Sequence, residues 1–311
     1  MTALLAHNTV QLLLVSFGIG IVIGLTGMGG GALMTPALIL LGIPPAAAIA
    51  NDLVAAGLNK SVGAATHLRH GTPHRALVGW LVLGSVPMAV TGSWIDHWIG
   101  PGQGHLLTLA IGATLLVTAA TYTIRLYVEA RRRPSDHGGD PAVRPLPTLA
   151  VGAVGGLLVG ITSVGSGSLI MVCLLLLYPT LGPLRLVGTD LLQATPLVVA
   201  AAIGHLVTTG VNWWVLVPLV IGGSPGTFLG ARLAPRIPRG VTRRGIVVLL
   251  SLTGLATLGA SPTWIAAAAG VLIAVAAGSE LARLRPAPHA PQPDLDEAQA
   301  VRGIPGRRFW A

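Results

Sequence analysis

The chain has 311 residues, 52% hydrophobic and only 9% charged, with a formal net charge of +9. Soluble domains carry roughly 25% charged residues, so this composition excludes a water-facing globular surface. The basic excess lies in short arginine-bearing segments between apolar runs, which is a membrane-topology pattern and not an aromatic-interleaved nucleic-acid surface. Glycine is abundant at 42 residues and aromatics make up 4%, a balance that suits closely packed helices in lipid. Cys173 is the only cysteine, so no intrachain disulfide forms.

The N-terminal "MTALLAHNTVQ" has no Lys or Arg, and no small-residue cleavage site follows it. It reads as a first membrane element and not as a signal peptide. A spanning helix needs about 20 apolar residues. The run 10–42 is too long for one such helix and is interrupted by "GLTGMGGG". Single helices are then predicted over 46–68, 76–98 and 104–128. A polar linker follows, "EARRRPSDHGGDPAVRPLP", residues 129–147. The run 148–180 is again overlong and is broken by "SVGSGS". Helices are predicted over 186–208, 212–232, 242–260 and 262–282. The Pro-rich tail 283–311 reads as disordered.

The chain repeats itself. Gly20, Gly24, Thr26, Gly29, Gly31 and Leu33 meet Gly156, Gly160, Thr162, Gly165, Gly167 and Leu169 at an offset of 136. Further on the offset becomes 138, pairing Asp52 with Asp190, His67 with His205, Gly84 with Gly222, Pro87 with Pro225 and Gly92 with Gly230. Two repeats, 1–128 and 148–260, account for this register, with 261–282 as an extra transmembrane helix.

The arginines indicate how the repeats are oriented. In the first half they flank "RHGTPHR" and fill the linker. In the second half the matching loop "TTGVN" has none, and Arg232, Arg236, Arg239, Arg243 and Arg244 occupy the next loop instead. The positive loops have exchanged places, so the repeats are predicted to be inverted. Inversion needs an odd number of crossings per repeat. It follows if each glycine-interrupted run folds back as a helical hairpin, leaving three crossings. The expected fold is therefore an all-α integral membrane protein, a polytopic bundle of two inverted repeats. The linker 129–147 and the tail are then expected on the cytoplasmic side.

Residues 27–32 fit a loose G-x-G-x-x-A. That pattern binds a dinucleotide only between a strand and a helix, and here both flanks are membrane helices. No Gly-Lys-Ser/Thr follows, so the Walker pattern fails. The glycine clusters serve either close helix packing or a substrate site. In the second reading, broken helices present free backbone N–H groups and a positive helix end to an anion. The candidate binding groups are Thr26, Gly27, Gly29, Gly30 and Gly31 in the first break, and Thr162, Ser163, Gly165, Ser166, Gly167 and Ser168 in the second.

Lys60 lies mid-helix, where a lysine is costly. It serves either as a partner for an acid such as Asp52 or as an anion counter-charge. Asn59 is adjacent and lies near the Asp52 face, and Gln193 follows Asp190, so both join the binding set. Asp52, Asp190, His67 and His205 are candidates for coupling or gating, with helix-dipole placement as the competing account for the acids. His67, His70 and His74 have metal-like spacing, but Gly71 and Pro73 interrupt the helix that would carry them, so no metal site is expected. No nucleophile, base and orienter fall together, so an enzyme is not expected either.

On "GLTGMGGGALMTPAL", "VGITSVGSGSLIM", "LVGTDLLQATPLVVAAAIGHLVTTGVNWWVL" and "GGSPGTFLGARLAPRIP" the chain resembles the TauE/SafE family of sulfite exporters and sulfonate permease-like proteins over nearly all of 12–260. The resemblance implies a secondary transporter of small sulfur-containing or organic anions in the bacterial inner membrane, with an ion gradient driving export. No cofactor is implied. The partners would be a small anion and the lipid bilayer, with a homodimer left open. A passive channel and an accessory subunit are the competing readings.

Overall fold

The computed structural model describes residues 2–26, 30–69, 73–99, 104–131, 141–167, 169–236 and 239–284. It divides into two compact units, Met1–Ala269 and Gly270–Ala311. The described residues are helical and contain no strand. The helices are α1 (Thr2–Thr26), α2 (Gly31–Leu40), α3 (Pro45–Arg69), α4 (Arg75–Ile99), α5 (Gly104–Arg131), α6 (Pro145–Thr162), α7 (Leu169–Leu177), α8 (Pro183–Thr208), α9 (Trp213–Leu233), α10 (Arg239–Thr257) and α11 (Pro262–Leu284). Each predicted single span holds one helix, and each overlong run holds two.

Five helices are long and apolar enough to cross a membrane on length and composition alone: α4, α5, α6, α8 and α9. At 25 residues α3 is as long, but it carries Asn51, Asp52, Asn59, Lys60 and Ser61. At 10 and 9 residues, α2 and α7 are only about 15 Å long, half the ~30 Å hydrocarbon thickness. These are half-helices.

The helix directions follow from what faces what. A Cβ built on Gly222, Gly226 or Gly230 would strike Leu13, Phe17 or Ile21 in turn, so α1 and α9 run parallel. On Gly152, Gly156 and Gly160 it would strike Leu81, Ser85 and Ala89, so α6 and α4 run parallel. Gly57 faces Val198 and Val199, while Thr195 Oγ1 donates to the Lys60 carbonyl at 3.3 Å, so α3 and α8 cross antiparallel. Gly112 faces Leu258 and Gly254 faces Leu116, so α5 and α10 are antiparallel as well.

Each overlong run folds back on itself. In the second run Ile170 packs against Gly155, and the Tyr178 hydroxyl lies 2.5 Å from Thr148 Oγ1, which sets α7 antiparallel to α6. In the first, the Thr35–Asp52 hydrogen bond at 2.8 Å and the short 41–44 connection set α2 antiparallel to α3. Every helix therefore runs opposite to its counterpart, and the repeats are inverted. The arginine-bearing segments from Arg69 to Arg244 then fall at one end of the bundle: the end of α3, the start of α4, the end of α5, the starts of α6 and α8, the end of α9 and the start of α10.

The repeats are interlocked. The two most extensive helix contacts are α1 with α9 and α4 with α6, and each pairs the first helix of one repeat with the fourth main helix of the other. Here the repeated glycines acquire their reason. At Gly20, Gly24, Gly84, Gly92, Gly156, Gly160, Gly222, Gly226 and Gly230 an added Cβ would come within 3 Å of facing atoms, backbone in nearly every case. Without a hydrophobic drive between helices in lipid, such close approach is what holds them together. Ser16 Oγ adds an interhelical bond to the Pro218 carbonyl at 3.2 Å. His205 Nε2 lies 2.7 Å from the Gly160 carbonyl and ties α8 to α6. The main core gathers Ile49 and Leu53 of α3, Leu77 and Leu81 of α4, Ile111 and Leu115 of α5, Ile170 and Leu174 of α7, Leu197 of α8 and Leu250 of α10.

Candidate functional site

The half-helices and the α3–α8 crossing converge on one buried polar cluster. Asp52, on the third turn of α3, is 2% exposed. Its Oδ2 accepts from Thr35 Oγ1 of α2 at 2.8 Å and from Ser163 Oγ of the second break at 2.6 Å. Lys60, 8% exposed, donates from Nζ to Ser166 Oγ of the same break. Asp190 of α8 is 3% exposed and accepts from Gln193 Nε2 at 3.3 Å. Both carboxylates act electrostatically on Lys60.

The breaks meet here. A Cβ built on Gly31 would strike the Ser163 carbonyl and come 2.8 Å from its hydroxyl. A Cβ built on Gly30 would lie 3.6 Å from Asp52 Oδ1, and one on Gly167 would lie 3.8 Å from Asp190 Oδ2. Each break thus rests over the aspartate of its own repeat. Ser163 has φ 61, a backbone state that costs a non-glycine residue about 1–2 kcal/mol. Two contacts hold it there: the bond to Asp52, and Thr162 Oγ1, which donates to the Leu158 carbonyl at 2.6 Å and accepts from the Val164 N–H at 3.2 Å.

Of the predicted site residues, the structure brings together Gly30, Gly31, Asp52, Lys60, Thr162, Ser163, Ser166, Gly167, Asp190 and Gln193. Gly165 turns the second break at φ 104. Gly27, Gly29 and Ser168 lie outside the described residues, as do the side chains of Thr26 and His67. Asn59 lies seven residues on from Asp52, on nearly the same face of α3, but it is exposed where Asp52 is buried. Half-helix α2 covers Asp52 from one side, but cover along α3 changes by Asn59, where α8 takes over against Gly57 and Lys60. His205 sits in the α6–α8 seam. His74 is buried at the start of α4, where its Nδ1 accepts from the Leu77 N–H at 3.3 Å.

Thr35 was missed by sequence reasoning. It is a lone hydroxyl in the apolar run "GALMTPALIL", and that isolation was the available signal. Thr189 was missed too, although it directly precedes Asp190. Its Oγ1 accepts from the backbone N–H of His74 at 2.9 Å.

Two broken helices meeting over buried charges inside an apolar helical bundle define a membrane transporter. The chain belongs to the family described as Sulfite exporter TauE/SafE, which it matches over residues 12–257. It is 35% identical to the probable membrane transporter protein YjnA of Bacillus subtilis over 73% of this chain and 91% of that protein. It is 26% identical to the probable membrane transporter protein YdhB of the same organism, over 79% of this chain and 99% of that protein. A probable membrane transporter protein of Xylella fastidiosa is 28% identical over 74% of this chain and 87% of its own length. No solved structure matches.

Proposed function

We propose that this protein is a secondary transporter that exports small sulfur-containing or organic anions, such as sulfite or sulfonates, across the bacterial inner membrane. One observation carries the reading. The ammonium of Lys60, buried at the meeting point of two broken helices, makes its described hydrogen bond to a neutral hydroxyl, that of Ser166, while Asp52 and Asp190 act on it without a described hydrogen bond. An oxyanion is a stronger partner for that ammonium than a serine hydroxyl is. The starts of α2 and α7 lie at the same breaks and add partial positive charge. Asp52 and Asp190 are the coupling groups in this reading.

The arginine-rich end is the cytoplasmic one, by the positive-inside rule. Export then runs with the membrane potential, worth about 2.3 kcal/mol per charge per 100 mV. The purified protein in proteoliposomes is expected to move at least one of sulfite, sulfate, thiosulfate and sulfoacetate. The flux should change with a pH gradient and be stimulated by anion on the opposite side. Flux without such counterflow would make the protein a channel. Unchanged anion affinity in Lys60→Ala would overturn the site.

A further inference from the structure

We propose that the structure is one of two conformations related by exchange of the two repeats, and that Asn51 is the docking residue of the second. The inference rests on the transporter reading and adds how access alternates. In the inverted plan α4 against α8 is the counterpart of α9 against α3, yet the two contacts differ. Helix α8 follows α4 along its length: the His74 N–H donates to Thr189 Oγ1 at 2.9 Å near one end, and near the other a Cβ built on Gly204 would lie 2.9 Å from Ser93 Cβ. The contact between α3 and α9 is less extensive and includes Ala48 and Ala55 with Val215, Leu216 and Leu219.

Asn51 carries the argument. At the offset of 138 that aligns Asp52 with Asp190, Asn51 is the counterpart of Thr189, and Asn212 is the counterpart of His74. His74 and Asn212 are built alike. Each precedes its helix, and each offers a side-chain acceptor to it: His74 Nδ1 to the Leu77 N–H at 3.3 Å, and Asn212 Oδ1 to the Trp214 N–H at 3.0 Å. Each carbonyl also accepts the matching helix bond, from Val78 at 3.1 Å and from Leu216 at 2.8 Å. Thr189 has its donor. Asn51, 0% exposed, donates Nδ2 to the Ala47 carbonyl at 2.7 Å, but its Oδ1 has no partner.

A buried acceptor without a donor is costly, and native structures retain few of them. The repeat supplies the missing donor. When α3 lies along α9 as α8 now lies along α4, the Asn212 N–H meets Asn51 Oδ1, and Thr189 gives up His74. Each conformation thus leaves one acceptor unsatisfied and satisfies the other, which keeps the two close in energy. The 93–204 contact closes α4–α8 at the end of the bundle away from the arginines in the present conformation, and its counterpart, 66–231, closes α3–α9 at the arginine end in the second.

The test reads conformation without substrate. In a Cys173→Ala background, Ser93→Cys with Gly204→Cys reports the present conformation, and Thr66→Cys with Ala231→Cys, its counterpart, reports the second. Both disulfides are expected to form in the membrane-embedded protein, with either one reducing the other. Asn51→Val removes the waiting acceptor and should raise the 93–204 to 66–231 ratio roughly fivefold, the size of one neutral hydrogen bond. Thr189→Val should lower it by a similar factor, and Asn51→Thr, which replaces the amide acceptor with the hydroxyl acceptor of repeat 2, should leave it unchanged. The Thr189 variant reads the same exchange from the other side, so loss of fold in one variant leaves the test standing. Absence of the 66–231 disulfide in every variant overturns the exchange, and so do equal shifts in the two valine variants. Opposite shifts without flux of any anion uphold it while overturning the anion-transport reading.

Discussion

Asp52 on α3 and Asp190 on α8 occupy matching positions in the two repeats, but their surroundings differ. Asp52 is clasped by hydroxyls from α2 and from the opposite repeat, while Asp190 is bonded by Gln193 of its own helix. Eight residues on from Asp52, α3 has Lys60 where α8 has Val198. Ser163, which reaches across to Asp52, has Gly27 as its counterpart. The backbone plan is two-fold, whereas the chemistry is one-sided. Lys60 is a buried cation where the two halves meet, and a second lysine at Val198 would bring two like charges into the buried interior. In the proposed function, symmetry would supply two interchangeable frames and asymmetry a single binding site.

This comparison can be broken first at its symmetric part, the glycine seams. Gly24→Val and Gly160→Val drive a branched side chain into facing backbone in α9 and α4 respectively. Both are expected to remove most of the folded protein in fluorescence-detected gel filtration, and to about the same extent. Survival of one alone would show that the seams are unequal.

The one-sided chemistry gives the next effects. Lys60→Ala should raise the half-saturating anion concentration in proteoliposome flux by about 10- to 100-fold, as loss of a charge-assisted hydrogen bond worth about 1.5–3 kcal/mol implies. Val198→Ala should change it less than threefold. Asp52→Asn should lower thermal stability more than Asp190→Asn, because Asp52 accepts two short bonds and Asp190 one long one. The difference is about 2 kcal/mol, from the loss of charge assistance at two hydroxyl bonds, and differential scanning in detergent measures it. The smallest effect falls on Ser163. Ser163→Gly loses the bond to Asp52 but relieves the positive φ, so stability should move by less than about 1 kcal/mol. Ser163→Ala loses the bond and keeps the strain, and should be less stable than the glycine variant.

Much of this was legible in the chain. The offsets of 136 and 138, the exchanged arginine loops and the two overlong runs point to inverted repeats with folded-back hairpins. Lys60 stood out because a lysine within a membrane helix is expensive. The partners of these groups were not legible. Thr35, Ser163 and Ser166 reach Asp52 and Lys60 across 17, 111 and 106 residues of chain. No local periodicity encodes contacts at that range. The repeated glycines were ambiguous for a related reason. A glycine in a helix seam and a glycine in a helix break look the same in sequence, and only the facing helix separates Gly24 from Gly31.

By itself, then, the sequence determined what the bilayer and the chain's own duplication dictate: helices of spanning length, two halves, their inversion, and a buried cation. These rest on apolar run length, on charge at the loops and on register, all local or repetitive properties. The tertiary structure alone decided that the repeats interlock as α1 with α9 and α4 with α6, that Ser163 and Ser166 of the second break bond Asp52 and Lys60, that Asn59 is exposed, and that Asn51 is left with an unmet acceptor. Those outcomes depend on which surfaces close against each other, and in lipid that choice is made by small-residue fit and by hydrogen bonds between segments far apart in sequence.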